Sequence, residues 1–191
     1  MNGSRNTADS GNNDWTAWKI ICTSYKRRIR NVDERSSIDL DSDPCEIVGV
    51  RVIDAPREIV WQAWTDPKHL AQWWGPIGFT TTTTSFDMRP GGSWRFVMHG
   101  PDGRDYQNRI TYVEIVEPER IVFSHGGGDD VELVQFETTV VFTNLGGKTR
   151  LVWTNKFPTA DQRTTVIKRY SADKGLAQTM ARLAEFVAAA S

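Results

Sequence analysis

Leu70-Ala71-Gln72-Trp73-Trp74-Gly75-Pro76-Ile77-Gly78-Phe79 sets three large aromatics in a backbone broken by glycine and proline. A polar loop does not carry such side chains, because their area has to be buried somewhere dry. Upstream, Ile47 to Ile53 is a β-branched strand ending at Asp54-Ala55-Pro56. That tripeptide starts a helix, with proline at its first position and Asp54 or Ala55 as cap. Ile59, Val60, Ala63 and Trp64 form the helix's buried face. Thr65-Asp66-Pro67 repeats the start signal, and a second short helix carries Leu70, Trp73 and Trp74 until Gly75-Pro76 stops it.

Downstream the chain turns to strands. Phe79 to Met88 contains five consecutive threonines, and Arg89-Pro90-Gly91-Gly92 is a turn into Ser93 to His99. After Gly100-Pro101-Asp102-Gly103 the next strand runs from Tyr106 to Val116, then Ile121 to Ser124 beyond Glu117-Pro118-Glu119. Gly126 to Asp130 reads as a loose connection. Gln135 to Thr143 and Thr149 to Asn155 form a hairpin across Asn144-Leu145-Gly146-Gly147. Strands joined this closely pair antiparallel. Thr159 and Gln162 open a helical region that reaches about Ala189 and bends near Ser171 to Gly175. Its apolar stripe is Leu176, Met180, Leu183 and Val187. The pattern predicts an α+β fold: a curled antiparallel sheet of six to seven strands gripping a long C-terminal helix, with two short helices after the first strand.

At 191 residues and a net charge of −1, the chain suits one domain with an appendage and has no global field for nucleic acid. Residues 1–13 are small and polar and read as disordered. In 14–32, Trp15, Trp18, Cys22, Tyr25, Ile29 and Val32 recur at helical spacing among basic residues. Such a segment could lie on an anionic membrane or dock on a partner, and packing on the domain or a weakly ordered extension is the preferred reading. Residues 33–45 read as an acidic linker, which places the domain boundary near Cys45 and the domain at 46–191. No membrane span, signal core or CxxC occurs, which points to a reduced cytoplasmic protein.

Asp54-Ala55-Pro56, Ala63-Trp64-Thr65-Asp66-Pro67, Trp73-Trp74-Gly75-Pro76, Asp87-Met88-Arg89-Pro90-Gly91-Gly92-Ser93-Trp94 and Arg182-Leu183 resemble the bacterial homologues of the C-terminal domain of the activator of heat-shock-protein-90 ATPase. That family belongs to the START-like, birch-pollen-allergen-like (SRPBCC) superfamily with the helix-grip fold. The resemblance spans about Ile47 to Val187 and leaves residues 1–45 unplaced. It implies a deep hydrophobic cavity between sheet and C-terminal helix. Members bind lipids, sterols or polyketides, and some catalyse cyclisation or hydrolysis. The eukaryotic relative's chaperone-binding N-terminal domain has no counterpart here.

The aromatic set is the best site candidate. Trp94, Phe96 and Met98 share one strand face, and Tyr106 begins the next strand. Trp73, Phe79, Met88 and Trp153 border the same space, and Met180 and Leu183 approach from the helix. The expected function is binding of a small hydrophobic or aromatic molecule, as carrier or sensor; a chaperone-associated protein and a cyclase or hydrolase are the alternatives. No catalytic residue, cofactor or metal is assigned. His69, His99 and His125 have no ligand spacing, and no nucleophile elbow, phosphate loop or dinucleotide fingerprint occurs. His125 reads as a surface residue ending a strand, with a general base at a cavity mouth as the minority reading.

Overall fold

A computed structural model describes residues 36–127 and 135–190. The chain divides into two units after Val32, and everything described lies in the second. The stretches 1–13 and 14–32 lie outside the described residues. The elements are β1 (Ser36–Asp39), β2 (Glu46–Ile53), α1 (Arg57–Thr65), α2 (Pro67–Trp73), β3 (Thr80–Phe86), β4 (Ser93–His99), β5 (Asp105–Val116), β6 (Arg120–Gly127), β7 (Phe136–Asn144), β8 (Thr149–Lys156), α3 (Ala160–Tyr170) and α4 (Ala172–Ala190).

The eight strands make one sheet in the order β1-β2-β8-β7-β6-β5-β4-β3, antiparallel throughout. β2 lies beside one edge strand and β3 is the other edge. The link through α1 and α2 therefore has to cross the sheet, and it does so on the inner face. Register shifts at Thr83/Ser85 and Tyr112/Glu114 bend β3 and β5. Alternation sends Trp94 and Phe96, Ile110 and Tyr112, Ile121 and Phe123, and Leu151 and Trp153 into the core. α4 lays Leu176, Met180, Leu183 and Val187 on it. Gly49 on β2 permits the close approach, since a Cβ there would stand 2.5 Å from Met180 Sδ and 3.1 Å from Leu176 Cδ2.

Local signals are met at most boundaries. Asp66 Oδ1 accepts from Lys68 N at 2.8 Å with Pro67 opening α2. Thr159 Oγ1 accepts from Gln162 N at 3.2 Å at the start of α3. Ser171, at φ 51°, is the corner between α3 and α4.

Three expectations are corrected. The strand count is eight because β1 pairs with β2 inside the supposed acidic linker, so the sheet begins before Cys45. Ile38 and Leu40 pack on the core. The acids between them and β2 shape turns: Asp39 Oδ1 accepts from Asp41 N and Ser42 N, and Asp43 Oδ1 from Cys45 N. In α1, Trp61 (5% exposed) takes the buried place expected of Ile59 (38%). Pro56 itself precedes the first turn of α1, and no side chain caps it.

Candidate functional site

The inner face, α2 and α4 enclose an aromatic cluster, and Trp74 is at its centre. Its ring lies 5.0–6.4 Å, centroid to centroid, from those of Trp64, Trp73, Trp94, Phe96, Phe123 and Trp153. All six of these pairs are tilted or edge-to-face, the arrangement the ring quadrupole prefers, while Trp94 and Phe96 stack on each other at 4.0 Å. Among the described residues this cluster leaves a void of about 10 Å³ bordered by Trp64, Leu70, Trp74, Trp94, Ile110, Tyr112, Ile121 and Phe123, its wall entirely carbon. That is room for about one water, and an apolar wall leaves such a space dry.

Trp74 is the C-cap of α2, its N–H still donating to Leu70 O at 2.9 Å, and it precedes β3. It starts an irregular strap, residues 74–79, that one side chain ties to α4. Arg182 Nη1 donates to the carbonyls of Gly75 (2.9 Å), Pro76 (3.1 Å) and Phe79 (3.1 Å), and its Nη2 donates to Gln72 (3.0 Å). Ile77 N donates to Gln178 Oε1 at 3.2 Å, and Thr81 Oγ1 donates to the Trp74 carbonyl at 3.0 Å. The strap's backbone is satisfied partly by α4 and partly locally, with the Trp74 N–H donating to Leu70 O (2.9 Å) and the Phe79 N–H to Pro76 O (3.1 Å).

The sequence-predicted residues divide. Trp73, Trp94, Phe96, Trp153, Met180 and Leu183 are buried in the cluster or beside it. Met88 and Met98 are half-buried on its flank, and half-buried Phe79 packs instead on Tyr106, ring centroids 5.9 Å apart. Tyr106 is 39% exposed and does not join. It pairs with Met98 in register and shares its face, but one step beyond the cover of helix and strap. Its hydroxyl donates to Asp102 Oδ2 at 3.2 Å. The Arg104 backbone N–H and then this hydroxyl hold the Asp102 carboxyl below its ordinary pKa. Sequence reasoning placed Trp64 and Trp74 on helix faces but not at the site's centre, and it missed Phe123 and Tyr112. The alternation of Ile110/Tyr112 and Ile121/Phe123 was the signal available for the latter two.

The polar handles are mostly used internally. Trp73 Nε1 donates to Ala63 O (2.9 Å), Trp94 Nε1 to Thr83 Oγ1 (3.0 Å) and Trp153 Nε1 to Asn155 Oδ1 (2.9 Å). Trp64 Nε1 is buried without a partner. Burial raises the Tyr112 phenol's pKa further, so it stays neutral. Of the histidines, His69 packs on Phe186. His99 lies on the outer face between Thr82 and Asp105. His125, expected at the surface, belongs to β6 because that strand continues through the glycines; its ring stacks on Phe136 at 4.8 Å. Among the described residues no three His, Cys, Asp or Glu gather to hold a metal, and no helix is long and apolar enough to cross a membrane.

The family described as activator of Hsp90 ATPase homolog 1-like protein matches residues 54–188. No curated protein matches the chain. Among solved structures, a protein from Arthrobacter aurescens is 25% identical, with TM-score 0.75 over 80% of this chain and 91% of its own. One from Chromobacterium violaceum is 27% identical, with TM-score 0.63 over 76% and 98%. A Silicibacter pomeroyi protein bearing the same family's name is 20% identical, with TM-score 0.64 over 76% and 99%; at that identity the likeness concerns the fold alone.

Proposed function

The chain belongs to the family of activator of Hsp90 ATPase homolog 1-like proteins, and from that premise we propose that it binds a small, flat, apolar molecule in the aromatic hollow between α1, α2 and the inner face of the sheet. The observation that carries this reading is the position of Trp74. The ring that fills the hollow hangs from the C-cap of α2, where the irregular strap begins, and not from the body of a strand or helix. Swinging it out needs no break in the strand pairing, only release of the strap from Arg182, Gln178 and Thr81 and of the Trp74 N–H from the Leu70 carbonyl. The space an indole vacates is on the order of the roughly 150 Å³ that holds a benzene-sized guest. Trp74 thus acts as a resident plug that a ligand replaces. Met88 and Met98 on the flank are flexible enough to refit around different guests.

Energetics make the exchange feasible and selective. A guest of indole size that buries about 200 Å² gains about 5 kcal/mol. The displaced indole loses a comparable amount. Apolar area alone therefore leaves the exchange near balance, and a ligand binds tightly only if it adds polar contacts. The wall supplies no acid–base pair, so the geometry favours binding over chemistry.

Native mass spectrometry of protein from its own host, together with titration of naphthalene into the full chain, tests the reading. A co-purifying apolar mass, or naphthalene-dependent shifts of the Trp64 and Trp74 indole resonances, is expected. A ligand-free protein whose indoles ignore naphthalene up to its solubility limit removes it.

A further inference from the structure

Beyond the aromatic cluster the inner face turns polar. His125 follows Ile121 and Phe123 at even spacing on β6 and so faces inward with them. Its ring stacks on Phe136, its register partner, and stands 6.5 Å from Phe96. Asn155 follows Trp153 on β8 and pairs with Thr138. Its side-chain orientation is determined, because Trp153 Nε1 (2.9 Å) and Thr138 Oγ1 (2.8 Å) both donate to one atom, which must be the oxygen. The Asn155 Nδ2 amide then has two hydrogens and no acceptor among the described residues. Neither ring nitrogen of His125 has a hydrogen-bond partner there either. Both residues are half-buried against Phe96, Phe136 and Trp153.

These two residues flank the place that Trp74 fills, since Phe96 and Trp153 are both its neighbours. β7 separates them, which puts their Cα atoms about 10–12 Å apart. Two inward side chains with one carboxyl group hydrogen-bonded between them span that distance. Between them β7 presents Thr138, a small residue, and Phe136, which is stacked aside on His125. We infer that His125 and Asn155 form a subsite for the carboxyl group of an apolar acid whose hydrocarbon body occupies the hollow. The inference rests on the reading of the hollow as a binding site, and it names the ligand class. Burial lowers the His125 pKa to about 4. The free ring therefore offers one N–H donor and one bare nitrogen, and with the Asn155 amide it presents three donor hydrogens to the acid's oxygens.

The test compares naphthalene with 1-naphthoic acid on the full chain, reading affinity by tryptophan fluorescence and calorimetry. The acid is expected to bind at least about tenfold more tightly. His125→Phe keeps a ring on Phe136 and removes the nitrogens. Asn155→Asp keeps the acceptor for Thr138 and Trp153 and replaces the free donor with a repelling oxygen. Each should cut the preference to threefold or less while leaving naphthalene affinity unchanged. Should Asn155→Asp fail to fold, His125→Phe decides alone. Equal affinities in the native chain, or a preference that survives the substitutions, overturn the subsite and leave the hollow standing. Absence of binding by either probe removes both.

Discussion

Replacing Trp74 by alanine puts the plug reading at risk most directly. The indole is 6% exposed and packed among the rings of Trp64, Trp73, Trp94, Phe96, Phe123 and Trp153. Truncating a buried aromatic costs about 3–5 kcal/mol. Loss of several edge-to-face contacts argues for the upper part of that range, and freedom of the strap to settle argues for the lower. About 4 kcal/mol is the expected loss, which for a chain of this size lowers Tm by roughly 8–16 °C. The vacated space should accept naphthalene, and at about a hundred times its Kd the ligand returns about 2.7 kcal/mol. Urea and thermal unfolding with and without naphthalene measure both quantities. A loss under about 1 kcal/mol would show that the indole does not fill the centre of the core. A large loss that naphthalene leaves unrelieved, in a variant that still folds, would show that the hollow collapses and holds no guest.

Arg182→Met keeps the aliphatic stem but removes the hydrogen bonds to Gln72, Gly75, Pro76 and Phe79. It should cost about 2–3 kcal/mol and speed amide exchange at Ile77, and unchanged exchange there would contradict the strap. Gly49→Ala places a methyl against Met180 Sδ and should cost about 1–3 kcal/mol, with partial recovery when Met180→Ala is added; additive losses in that cycle would count against the contact. Because the folded-state pKa of His125 is about 4, the neutral ring's contribution to stability is complete above about pH 6.5 and is lost as pH falls toward 4. The native chain should therefore lose up to about 3 kcal/mol relative to His125→Gln between pH 7 and 4, and parallel pH–stability curves would refute this. Tyr106→Phe should change stability by no more than about 0.5 kcal/mol and leave naphthalene binding untouched; a tenfold loss of affinity would return Tyr106 to the site.

Much of the architecture was legible because it is periodic. Alternation at Trp94 and Phe96, helical spacing from Leu176 to Val187, and the Asp66-Pro67 and Thr159 starts are local signals, and local hydrogen bonds honour them. The failures are non-local. Tyr106 obeys the same alternation as Met98, yet whether it is covered depends on where the strap and α4 end. Ile59 and Trp61 both fit an amphipathic α1, and the neighbouring Phe142 ring at 5.3 Å from Trp61 selects the latter. Gly126 and Gly127 read as part of a loose connection, but cross-strand pairing with Arg109 and Asn108 extends β6 through them and carries His125 inside. Whether the hollow is open or filled was invisible in sequence. Trp74 draws its neighbours from two helices and several strands, and no window along the chain contains them together.

The four residues of β1 decide what β2 would otherwise show to its surroundings. β2 is a run of eight, rich in valine and isoleucine, and the pairing with Ser36–Asp39 saturates half of it. A shortened chain beginning at Glu46 would leave that row of amides and carbonyls as a template for another copy, strand against strand. Trimming the molecule at the point its acidity suggests would thus trade a monomer-compatible rim for one prone to self-association.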